Sequence, residues 1–107
     1  MTLVELEEEL LSATDKYLMI SLLDTILRKA FGAKKLDFMK QLVTLYKETR
    51  ANAEFLELAP SVLKQDSSDY ELRLDLIKML MGNPESILLA QTEIHRLEAQ
   101  LKLKFRG

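Results

Sequence analysis

The chain has no cysteine and a single histidine. The first absence removes a disulfide framework, a thiolate metal site and a cysteine nucleophile. Together they leave any zinc site to carboxylates, a poor donor set. Glycine occurs three times and proline twice in 107 residues, so there is little turn material and the elements must be few and long. The longest apolar runs, such as Tyr17 to Ile20, are four residues, against about 20 for a membrane-spanning helix. No basic-then-apolar leader opens the chain, because Glu5, Glu7, Glu8 and Glu9 stand there. Nor is there an excess of one charge. The net charge of −2 gives no bulk drive toward nucleic acid or anionic membrane. From these features a soluble, cytoplasmic protein is expected.

What remains is ordinary for a globular protein: 48% hydrophobic and 30% charged residues. The length suits one domain, residues 1–107, with one modest core. The strongest helix signal is the last. Asn83 can cap a helix, Pro84 fits its first position, and Ile87, Ala90, Ile94, Leu97 and Leu101 recur three and four residues apart up to Phe105. Lys102, Lys104 and Arg106 suit its C-terminal end.

At the start, Thr2 and Glu5 form a capping-box pattern. Leu3, Leu6, Leu10 and Ala13 follow, and Tyr17 and Ile20 continue the spacing. Residues 2–31 can therefore be one helix, or two if Ser12 to Asp15 caps a second. The half from Lys16 to Phe31 is apolar on most sides, which places it centrally. Gly32 then offers a left-handed stop. The next helix spans Lys35 to Leu58 on a stripe of Leu36, Met39, Val43, Tyr46, Ala53 and Leu56. Arg50 interrupts that stripe, by a bend or by a stem laid along the core. Pro60 is expected to end the helix, leaving Ser61–Gln65 as a turn. Ser68 and Glu71 repeat the capping-box pattern before Tyr70, Leu74, Ile77 and Met81, and Gly82 stops that helix.

No stretch alternates with period two and no signature recurs at 30 to 40 residues, so strands and a tetratricopeptide-like array are not expected. The reading is all-α: a compact bundle of four to five antiparallel helices with up-and-down connections.

Little in this sequence supports catalysis or cofactor binding. His95 lies off the main stripe and reads as a surface residue. No Glu-x-x-His pair exists for a di-iron bundle. Asp66 and Asp69 lack the glycine and terminal glutamate of a calcium loop. No glycine-rich elbow supports a serine nucleophile. No cofactor, metal or catalytic residue is expected.

Two groups invite contacts. Arg28, Lys29, Lys34 and Lys35 bracket Phe31-Gly32 and are the candidate anion contact. Asp37 opposes phosphate there, which disfavours nucleic acid. Phe38, Leu58, Val62, Met79 and Phe105 lie off the stripes. They are the candidate partner surface if they are not needed to close the core. The leading expectation is a non-enzymatic helical protein that acts by binding another protein or a second copy of itself. In size and helical build the chain also resembles the cytoplasmic immunity proteins that protect producers of peptide bacteriocins. That resemblance covers no motif and assigns no residue. A third expectation is a nucleic-acid-binding regulator using the basic turn.

Overall fold

The computed structural model describes the backbone of residues 2–105 and the side chains of residues 2–102. The described residues form six α-helices and one 3-10 turn, with no strand. The helices are α1 (Leu3–Ser12), α2 (Lys16–Leu27), α3 (Ala33–Glu48), α4 (Asn52–Gln65), α5 (Tyr70–Met81) and α6 (Ile87–Phe105). The all-helical class is as expected; the count of four to five is corrected to six, because the two-helix alternative for residues 2–31 holds and the helix expected over Lys35–Leu58 is also broken.

The first break separates α1 from α2. Thr2 and Glu5 form the expected capping box, and α1 ends at Ala13 in extended backbone (ψ 139°). Asp15 then caps α2 by accepting from the Tyr17 N–H at 2.9 Å. Ser12 takes no part in that cap, because its hydroxyl donates back to the Glu9 carbonyl.

The second break falls at Arg50, which adopts φ 60°. The Ala51 N–H donates to the Tyr46 carbonyl at 2.8 Å and the Arg50 N–H to Lys47 at 3.2 Å. This pair of bonds is a Schellman motif with arginine where glycine is usual. Arg50 is thus neither a bend nor a snorkelling core residue. Gly32 does adopt a left-handed φ of 71°, but it does so at the entry to α3 rather than at the end of α2.

The third correction concerns Pro60, which lies inside α4. A proline there removes one helical hydrogen bond and costs about 3 kcal/mol. Ala59 just before it and Val62 and Leu63 on the following turn are all buried. Burying the Val and Leu side chains together yields about 3–6 kcal/mol, enough to carry the helix through the proline.

The chain gathers into two compact units, the first ending at Leu58 and the second beginning at Ala59, so the division lies within α4. In the first unit, α1, α2 and α3 close on Leu6, Leu10, Leu22, Leu23, Ile26, Ala30, Phe38, Leu42 and Leu45. Tyr46 and Leu58 pack against the edge of that cluster. The α2 segment is less central than its composition implies, since Tyr17 is 70% and Phe31 86% exposed. In the second unit, α5 buries Leu72, Arg73, Leu76, Ile77 and Leu80. The face that turns inward is therefore that of Leu72, Leu76 and Leu80, and Leu74 and Met81 are exposed. α6 begins after the 3-10 turn Pro84–Ser86, which Asn83 caps through the Glu85 N–H. Of its stripe only Ala90 is fully buried, while Ile94, Leu97 and Leu101 are half-buried and Ile87 is exposed.

Candidate functional site

The residues singled out above do not form one surface. Phe38 and Val62 are core residues, 6% and 0% exposed, and cannot meet a partner; this corrects their expected place on a partner surface. Leu58 is half-buried against the core of the first unit and Met79 is half-buried in α5. The side chain of Phe105 lies outside the described residues, as do those of Lys104 and Arg106. Leu58 and Val62 sit at helix positions with apolar neighbours three and four away, Phe55 and Val62 for the first and Leu58 and Ala59 for the second, and core packing claims such positions first.

The basic group fares similarly. Arg28 and Lys35 are exposed, whereas Lys34 is tied to Glu7 of α1 at 2.8 Å. Lys29 adds to the field at Glu5, whose carboxyl is held below its ordinary range first by the Thr2 backbone N–H and then by the Thr2 hydroxyl. At least two of the four cations thus have carboxylates to serve within the chain. His95 is exposed, 4.0 Å from Glu98. Among the described residues no group of three or more His, Cys, Asp or Glu stands close enough to hold a metal ion.

Two features do stand out. The first is an apolar groove on the first unit, of about 560 Å³. Leu10, Ala13, Met19 and Phe38 line it, Val4 and Leu11 stand beside them, and Glu7, Glu8 and Gln41 supply its polar lining. Val4 is 61% and Leu11 87% exposed. α1 explains this geometry. Leu6 and Leu10 enter the core. Val4, Glu8 and Leu11 follow one another four and three residues apart on the adjoining face. The helix thus carries two apolar faces, one of them left in water. Periodicity picks up the core stripe and passes over Val4 and Leu11 because they are only two residues.

The second feature is Arg73, the one buried charged side chain among the described residues, at 4% exposure. In the first turn of α5 it lies four residues before Ile77, on the inward face. Its Nε donates to Gln100 Oε1 at 3.0 Å, one terminal nitrogen to Glu93 Oε2 at 2.7 Å, and the other to the Ser67 carbonyl at 3.4 Å. The other oxygen of Glu93 accepts from Arg96 at 2.8 Å. A buried guanidinium needs such partners, since an unpaired charge in the interior is strongly unfavourable. Elsewhere, burial pushes the Tyr46 phenol up, and the carboxylate of Asp24 adds to the effect. No helix among the described residues is long and apolar enough to cross a membrane.

Comparison with protein-family models, with curated proteins and with solved structures finds no match.

Proposed function

We propose that this chain is a non-enzymatic, cytoplasmic helical protein that works by binding another protein, and that the groove on its first unit is where it does so. The observation that carries the reading is Leu11, a large apolar side chain 87% exposed at a concave apolar surface. Exposed apolar side chains are common singly. Grouped at a concavity, they match the helix-in-groove mode of recognition. The connections between helices are short, which supports up-and-down order with antiparallel neighbours.

The charges around the groove select the partner. α1 carries Glu5, Glu7, Glu8 and Glu9 and no basic residue. Glu7 is already paired with Lys34, and Glu8 is exposed at the groove. The fitting occupant is an amphipathic helix whose apolar face is flanked by Lys or Arg. Burying one leucine fully contributes about 1.5–3 kcal/mol, so Leu11→Asp is expected to weaken such a complex by more than tenfold. The test is affinity capture by the wild-type and Leu11→Asp chains in parallel, with solution mass measured by light scattering. A partner held by the first and lost by the second supports the reading. A second copy of the chain in that role replaces the foreign helix with self-association. Identical recoveries from two monomeric chains remove the reading.

A further inference from the structure

The polar side of the groove around Arg73 is made mostly of hydrogen-bond donors: Lys64, Ser67, Arg73, Arg96 and Gln100. The groove measures about 490 Å³ and lies wholly in the second unit. Arg73 has five N–H donors and makes three bonds, so one N–H on each terminal nitrogen has no acceptor among the described residues. Gln100 spends its carbonyl oxygen on Arg73, and its amide hydrogens meet no acceptor among the described residues. Lys64 and the Ser67 hydroxyl also line the groove and bond to nothing else among the described residues. The one carboxylate there, Glu93, has both oxygens occupied, by Arg73 and by Arg96.

Three cations therefore face one anion whose accepting oxygens are already engaged. A molecule entering this groove meets donors, positive charge and an apolar wall of Pro60, Leu63 and Ala99. A cation or a hydrogen-bond donor finds little to hold it. Spare N–H groups on a buried guanidinium also call for acceptors, because leaving them unmet is costly.

We infer that this groove binds a small organic oxyanion, a carboxylate or phosphoryl head on a short apolar body. The head meets Arg73, Lys64 and Gln100, and the body lies against Leu63 and Ala99. Arg73 is the fixed part of the site, held by Glu93 and Gln100 before any ligand arrives. Lys64 and Arg96 are exposed and supply the adjustable charge. This assignment is independent of the protein-binding groove on the first unit.

The test uses the full chain, isotope-labelled, titrated at low salt with inorganic phosphate and separately with hexanoate. Chloride at matched ionic strength is the control. The side-chain N–H signals of Arg73 and Gln100 and the Ser67 amide are expected to move along one saturable curve with at least one probe and not with chloride. Saturation by phosphate alone or by hexanoate alone identifies the head group. Lys64→Met and Arg96→Met, both at exposed positions, are each expected to weaken binding roughly three- to tenfold with an unchanged helical spectrum. Lys35→Met, on the other unit, leaves it unchanged. The assignment is overturned if neither probe saturates, if chloride produces the same shifts, or if neither groove variant loses affinity.

Discussion

Replacing Arg73 by methionine keeps most of the volume of its stem and removes the guanidinium. Three bonds go with it: to Glu93 at 2.7 Å, to Gln100 at 3.0 Å and to the Ser67 carbonyl at 3.4 Å. The bond to Glu93 is charge-assisted and contributes about 1.5–3 kcal/mol, and the neutral one to Gln100 about 1 kcal/mol. The Ser67 contact is long and adds little. Breaking a buried ion pair from one side costs about 3–5 kcal/mol. Here Glu93 keeps Arg96 as a partner, so the lower end of that range applies. The expected loss is about 3 kcal/mol, a large share of the roughly 5–15 kcal/mol available to a domain of this size. Urea unfolding followed by circular dichroism measures it. The double variant Arg73→Met, Glu93→Leu removes both charges and is expected to recover most of the loss. Arg96→Ala, at an exposed pair, is expected to cost less than about 1 kcal/mol. A loss below about 1 kcal/mol for Arg73→Met, or a double variant no better than the single one, would refute the view that a buried charge pair holds α5 to α6.

Other consequences follow from the same geometry. Arg50→Gly relieves a left-handed backbone worth roughly 1–2 kcal/mol, offset in part by the freer unfolded chain, so a gain of about 0.5–1 kcal/mol is expected in urea unfolding; a loss would contradict the Schellman assignment. Leu23→Ala, at a fully buried site, is expected to cost about 2–5 kcal/mol, and Leu97→Ala, half-buried in α6, about 1–2 kcal/mol, by the same assay. The Tyr46 phenol titrates above its unfolded value. Its contribution to stability is therefore complete below about pH 10 and is lost as pH rises from there through the folded pKa. Unfolding at increasing alkaline pH, with Tyr46→Phe as reference, is expected to show a steeper fall for the wild type.

The helical class is legible because apolar residues recur at three and four throughout and no segment alternates. The caps at Thr2 and Asn83 are legible because a short polar side chain there has one evident task. The breaks are not. Leu10, Ala13, Tyr17 and Ile20 keep helical spacing across residues that are extended, and only the cap at Asp15 marks the entry to α2. Arg50 resists reading for a different reason: a left-handed position is usually announced by glycine. Pro60 misleads in the opposite direction, since local cost is overridden by the burial of Val62 and Leu63. Arg73 passes unnoticed in a stripe search that scores apolar residues alone. Its spacing from Ile77, with Glu93 and Arg96 a turn apart, is the signal that could have found it. Nothing in the sequence marks Val4 and Leu11 as exposed, because exposure depends on which face of α1 its neighbours cover.

The most direct test of the protein-binding account is affinity capture from cells that express the tagged chain beside a differently tagged copy of itself, in wild-type form and as Leu11→Asp. Leu11 is exposed, so the variant is expected to stay within about 0.5 kcal/mol of wild-type stability. The expected result is a protein retained by the wild type and absent from the variant, carrying an amphipathic helix with basic flanks. Equal recovery by both chains, with neither retaining a partner nor a second copy through this groove, would contradict the account.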